Sequence, residues 1–260
     1  MIDFLHPLSG FLVGMMVGLT GVGGGSLMAP IMILLLGVTP TTAVGTDLWF
    51  AAITKFVGGA VHHSQGHADW TVVRRLCWGS LPAALLTLWF LSSTETHQVK
   101  SGLIVQLLGM ILVLTAFVTL AHRKIYGVAR TLDGGHVAFL RRIRPGLTML
   151  AGAILGVVVT LTSVGAGALG ATMLVLLYPL RMTPRKVVGT DIVHAVPLTL
   201  LAGLGHFWMG NVDLSLLASL LIGSIPGIII GSRLTSRINA TVLRVALAVM
   251  LLFSGVRLLS

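Results

Sequence analysis

Apolar residues in this chain come in long blocks and not in narrow amphipathic stripes. The blocks run at about 7–20, 24–38, 42–61, 71–92, 102–120, 146–162, 165–180, 186–205, 213–232 and 239–258. Several reach the ~20 residues needed to cross a hydrocarbon core. This pattern predicts an all-α polytopic membrane protein, because helices satisfy their own backbone polar groups inside a bilayer. Two pairs of blocks are short and parted only by small residues. In the first, Gly21-Val22-Gly23-Gly24-Gly25 interrupts an apolar run from about Leu8 to Gly37. Each glycine costs roughly 1 kcal/mol against alanine in a helix, so the segment predicts a break between two half-helices. Freed backbone at membrane depth persists only where protein buries it or it lines a watered cavity. Transporters place their ion sites at such breaks. The same small residues also suit a close helix-packing surface.

The polar gaps divide the chain. A basic stretch from Ala121 to Pro145 separates a first transmembrane repeat, 1–120, from a second, 146–260. The repeats match in sequence. Val44-Gly45-Thr46-Asp47 returns as Val188-Gly189-Thr190-Asp191, His62, Gly66 and Asp69 return as His206, Gly210 and Asp213, and Gly79-Ser80-Leu81-Pro82 returns as Gly223-Ser224-Ile225-Pro226, all 144 residues on. The broken segments align near an offset of 142, setting Thr20 to Gly25 over Thr162-Ser163-Val164-Gly165-Ala166-Gly167, a less glycine-rich copy. Each half thus reads as one glycine-broken element followed by three transmembrane helices. An internal duplication of this length is characteristic of secondary transporters.

Charge decides the relative orientation expected of the halves. With the 121–145 segment as a cytoplasmic loop and each broken element crossing as a hairpin, fourteen Lys and Arg fall inside and two, Lys100 and Arg257, outside. Letting each broken element cross once gives nine against seven. The positive-inside rule selects the first arrangement. It predicts two inverted repeats with both termini periplasmic.

Composition narrows the class further. With 55% hydrophobic residues, 9% charged residues and mean hydropathy +1.00, the chain is not expected to be a soluble globular protein. The net charge of +10 sits between spans and lacks interleaved aromatics, so no nucleic acid is expected as a partner. One cysteine, Cys77, excludes a disulfide within the chain, and the N-terminal MIDFLHPL lacks the basic region and cleavage site of a removable signal peptide. His62, His63, His67 and Asp69 resemble a metal cluster, but the second copy keeps only His206 and Asp213. No metal or other cofactor is expected.

The candidate chemistry lies inside the spans, where ionisable groups are costly. Lys55 follows Asp47 by eight residues on roughly the same helix face, and His194 follows Asp191 by three. Asp47 and Asp191 sit too deep in their helices to be caps for the Thr39-Pro40 and Thr183-Pro184 starts. A buried lysine beside opened helix ends suits an anion, since free backbone N–H groups and the helix dipole favour negative charge. The expected binding set is Thr20, Gly21, Gly23, Gly24, Gly25, Thr46, Lys55, Thr162, Ser163, Gly165, Gly167 and Thr190. Any one hydroxyl among these can instead bond a carbonyl one turn back. Asp47 and Asp191 would repel an anion unless protonated or paired with Lys55, so they, with His194, are the proton-coupling candidates. Two other classes use the same features: a passive anion channel, and an intramembrane aspartyl protease built on the two aspartates. The protease lacks its expected G-x-G-D sequence, because Asp47 stands in Val-Gly-Thr-Asp, and other enzyme signatures are missing.

The paired breaks GVGGGSLMAP and SVGAGALGA, the AVGTD and VVGTD elements, the H-x-x-x-G-x-x-D segment and the duplicated G-S-x-P span together resemble the TauE/SafE family of sulfite and organosulfonate exporters. The resemblance covers essentially the whole chain. The family commonly has Ser where this chain has Asp47 and Asp191. What the resemblance implies is a multi-pass permease of the bacterial inner membrane that moves a small sulfur-containing anion. The lipid bilayer and that anion are the partners it implies, and a homodimer is compatible with it.

Overall fold

The computed structural model describes residues 4–20, 27–64, 68–93, 97–130, 134–179, 181–234 and 240–260. Ten helices make up the described chain: α1 Leu5–Thr20, α2 Met28–Leu34, α3 Pro40–Ser64, α4 Trp70–Ser93, α5 His97–Arg130, α6 Gly134–Thr162, α7 Ala168–Leu177, α8 Pro184–Trp208, α9 Leu214–Leu234 and α10 Ala240–Leu259. No strand occurs among the described residues. The protein is an all-helical polytopic membrane protein; among the described residues six helices are long and apolar enough to cross a bilayer.

The duplicated sequence folds into duplicated elements, with α1 to α5 matched by α6 to α10. Each half opens on a helix, a break and a short apolar helix. In the second half the break lies between Thr162 and Ala168, while Gly21 to Gly25 of the first half lie outside the described residues. The less glycine-rich second copy breaks all the same. Ser163 adopts φ 58°, Gly165 121° and Gly167 137°, angles that end a right-handed helix and that Ser tolerates poorly. The basic stretch differs from an open loop: α5 runs on to Arg130 and α6 begins at Gly134, so most of it is helical.

The principal packing partners come from opposite halves: α1 on α9, α4 on α6, α3 on α8 and α5 on α10. The pairs are two-fold related, since exchanging the halves turns α1 with α9 into α6 with α4. Glycine explains the closest of them. A Cβ at Gly10, Gly14 or Gly18 would strike the backbone of Leu220, Ser224 or Ile228 on α9, and one at Gly223 or Gly227 would strike Pro7 or Phe11 on α1. Gly79, Gly152 and Gly156 bring α4 and α6 together in the same way, against Met149, Leu76 and Ser80. Helices gain contact in lipid through such close approach, because apolar burial against acyl chains gives little drive. In both pairs residue numbers rise together, so α1 is parallel to α9 and α4 to α6. The α3–α8 pair runs the other way: Gly45 lies on Asn211, and the Trp49 indole donates to the Gly203 carbonyl at 2.9 Å.

Two hydrogen bonds repeat this two-fold relation in detail. The backbone N–H of Asp213, at the start of α9, donates to the Thr46 hydroxyl at 3.1 Å. That of Asp69, at the start of α4, donates to the Thr190 hydroxyl at 3.0 Å. Both aspartates then cap their helices, Asp69 accepting from Val72 N and Asp213 from Leu216 N. Asp69 also pairs with Arg181 at 2.7 Å. The repeat-related position to Arg181 is Gly37, so this ion pair has no counterpart. Outward faces are apolar, with Trp70, Trp78, Trp89 and Trp208 all exposed, as lipid-facing or interfacial tryptophans are.

Candidate functional site

The antiparallel register of α3 and α8 sets the site. Carried along the pair, it brings position 54 opposite position 198, its repeat mate 144 residues on. Lys55 is therefore one residue from the point where the two repeat-related helices cross. Asp47 lies towards the start of α3 and Asp191 towards the start of α8. Because the helices are antiparallel, the two carboxylates flank the lysine from opposite ends of the crossing.

Lys55, Asp47, Asp191, His194 and Ser163 are all buried, none more than 4% exposed. The Lys55 ammonium donates to the Ala166 carbonyl at 3.0 Å, inside the break of the second half. Both aspartates lie within electrostatic reach of it, yet no carboxylate approaches it within ion-pair distance among the described residues. Asp47 faces the Ser163 hydroxyl and the backbone of Ala29 at the start of α2. Neither Asp47 oxygen, nor the Ser163 hydroxyl, has a hydrogen-bond partner among the described residues. Asp191 lies in the mirrored place, its Oδ1 against Gly170 at the start of α7 and likewise without a partner there. A side chain at Gly170 would occupy the carboxylate's space. Each aspartate thus faces the short helix of its own half, Asp47 α2 and Asp191 α7.

The lysine breaks the symmetry. Its repeat mate is Thr199, buried and bonded to the Ala195 carbonyl one turn back at 2.8 Å. The crossing therefore carries one cation and two carboxylates. His194, a turn beyond Asp191, contacts Ser80 on α4 through Nε2 at 2.9 Å.

The remaining residues of the expected binding set are placed unevenly. Ser163, Gly165 and Gly167 form the second break beside Lys55. Thr162 ends α6: its hydroxyl donates to the Val158 carbonyl at 2.7 Å and accepts from Val164 N at 3.2 Å. Thr46 and Thr190 are buried in the interface between halves, each accepting from a helix start of the other half. Gly21, Gly23, Gly24 and Gly25 lie outside the described residues, as does the Thr20 side chain. The side chains of His62, His63 and His67 do too, whereas Asp69 is a helix cap with an arginine partner.

Sequence reading missed three contributors. Ala166 acts through its carbonyl, and no side-chain pattern signals a backbone atom. Ser80 was visible within the duplicated G-S-x-P span, but its histidine partner is 114 residues away. Thr160, one turn before the break, is fully buried with a hydroxyl unpartnered among the described residues.

Comparison with known proteins places the chain in a family. The family model for "Sulfite exporter TauE/SafE" matches residues 7–258. "Probable membrane transporter protein YjnA" of Bacillus subtilis (strain 168) is 38% identical, over 97% of this chain and 98% of the relative. "Probable membrane transporter protein YdhB" of the same organism is 26% identical over 96% and 97%. A "Probable membrane transporter protein" of Xylella fastidiosa (strain Temecula1 / ATCC 700964) is 25% identical over 90% and 85%. No solved structure matches.

Proposed function

The chain belongs to the sulfite exporter TauE/SafE family and is a membrane transporter, not an enzyme; from that premise we propose that it carries sulfite, an organosulfonate or a related small anion outward across the bacterial inner membrane by alternating access. The observation that carries this reading is the buried ammonium of Lys55 at the α3–α8 crossing, bonded to a carbonyl and, among the described residues, to no carboxylate. A desolvated lysine is expensive at membrane depth and is retained where it meets a charge. The transported anion is that charge. Ser163 and the backbone of the second break supply neutral donors around it, with Thr46, Thr162 and Thr190 at the margin.

Two ionised aspartates beside one lysine would leave the crossing negative and repel an anion. Protonation of Asp47 and Asp191 turns it into a cationic seat, so anion and protons travel together. Their placement at opposite ends of the crossing gives each membrane face one carboxylate to load. Inverted halves are supported by the antiparallel run of the repeat-related α3 and α8, and the 121–145 segment faces the cytoplasm by its positive charge. A passive channel is the second reading. The closure of the whole cluster from solvent favours a carrier caught with its site occluded.

Sulfite flux into proteoliposomes, against taurine and sulfoacetate and with or without a pH gradient, tests the proposal. Saturable flux that responds to the gradient is expected, and Lys55→Ala is expected to abolish it. Non-saturating flux indifferent to the gradient would replace the carrier with a channel. Flux of no sulfur anion would remove the substrate class.

A further inference from the structure

The two buried histidines of α8 turn Nε2 to partners of different kind, a carbonyl for His206 and a hydroxyl for His194. His206 Nε2 lies 3.0 Å from the Thr160 carbonyl, which can only accept, so Nε2 bears the proton and Nδ1 is bare. His194 differs. Its Nε2 meets the Ser80 hydroxyl, and that hydroxyl has no other acceptor among the described residues. Other hydroxyls in these helices, such as those of Thr87, Thr115 and Thr199, bond back to a carbonyl one turn away. Ser80 does not; with its proton given to His194 Nε2, the ring proton sits on Nδ1. That Nδ1–H is buried and has no partner among the described residues. Buried N–H donors are rarely left unmatched.

We infer that the Nδ1–H of His194 is a second donor to the transported anion, with Ser80 as the residue that holds the ring in the donating tautomer. His194 lies within electrostatic reach of the Lys55 ammonium and one turn from Asp191. An ammonium from α3 and an N–H from α8 would grip different oxygens of one anion, a geometry that suits a multi-oxygen sulfur oxyanion over a halide. The donor is not duplicated: the repeat-related position to His194 is Phe50, itself fully buried. One lysine and one histidine therefore mark one anion per cycle. This rests on Lys55 being the anion seat.

The test uses the full-length protein with sulfite as the probe, measuring thermal stabilisation in detergent and saturation of flux in proteoliposomes. His194→Phe copies the residue that the first half accommodates at the same position. His194→Asn places an amide N–H near the Nδ1 position, whereas His194→Gln reaches only the Nε2 position beside Ser80. Phe and Gln are expected to raise half-saturation by about tenfold or more, the effect of one hydrogen bond to an anion, with maximal flux and chloride competition less affected. Asn is expected to restore affinity to within about threefold by keeping that same bond, with the pH profile unchanged. Equal behaviour of Asn and Gln, or unchanged half-saturation in Phe, would overturn the inference. So would an Asn variant that loses pH dependence, since His194 would then be carrying a proton. If Lys55→Met keeps its sulfite response while His194→Phe loses it, the lysine seat fails and the histidine donor stands. No sulfite response in the folded wild type overturns both.

Discussion

Lys55 Nζ, carried on α3 in the first half, lies 3.0 Å from the Ala166 carbonyl in the helix break of the second half. A charge from one repeat is thereby held on the opened backbone of the other. Under the proposed alternating access, rocking of the two halves against each other would stretch or remake this bond.

Replacing Lys55 by Met should reduce sulfite flux by about 10- to 150-fold, since a hydrogen-bonded charge is worth roughly 1.5–3 kcal/mol, and the seat would be left with two carboxylates. The same change frees the Ala166 carbonyl, so a modest fall in melting temperature in detergent is expected beside it. Proteoliposome flux, normalised to folded protein, is the measurement. Wild-type flux would take Lys55 out of the pathway.

Asp47→Asn and Asp191→Asn should each make sulfite flux insensitive to an imposed pH gradient while sparing sulfite–sulfite exchange, which needs no net proton movement. Their opposite placement along the crossing predicts that the two variants differ in which face loses its pH response. Exchange and net flux measured from both sides separate these cases. A pH profile identical to wild type would leave the carboxylate concerned with a packing role.

Thr46→Val and Thr190→Val each remove the acceptor of a backbone N–H at a helix start in the other half. Leaving such a buried donor unpaired costs about 1–3 kcal/mol. The bonds are repeat mates, so the two losses should be similar, and additive in the double variant because the sites lie at opposite ends of the α3–α8 pair. Thermal melts of the three variants check this.

Gly14→Leu and Gly227→Leu should yield no folded protein, because a side chain at either would enter the backbone of the facing helix. Gly146→Ala meets open space in α6 and should be neutral or stabilising by up to about 1 kcal/mol from helix propensity. Expression and monodispersity on size-exclusion chromatography distinguish these outcomes.

Class, element count and duplication were legible in the chain by itself. Apolar block length is read against bilayer thickness, and a repeated motif keeps its spacing whatever the packing. Lys55, Asp47 and Asp191 could be picked out for the same kind of local reason, since a charge inside an apolar block is costly wherever the block packs. What joins them was not legible. Thr46 and Thr190 could be singled out as candidate anion ligands, but nothing in the chain showed that each hydroxyl also receives a helix start from the far half. Ser163 met Asp47 and Ala166 met Lys55 only through contacts spanning more than a hundred residues, the second made by a backbone carbonyl with no sequence signature. The tautomer of His194 depended on Ser80, which packing alone brings to it. Sequence determined what each segment costs to bury. The tertiary structure decided which buried group answers which, because that depends on how two interleaved halves cross and not on the spacing within either.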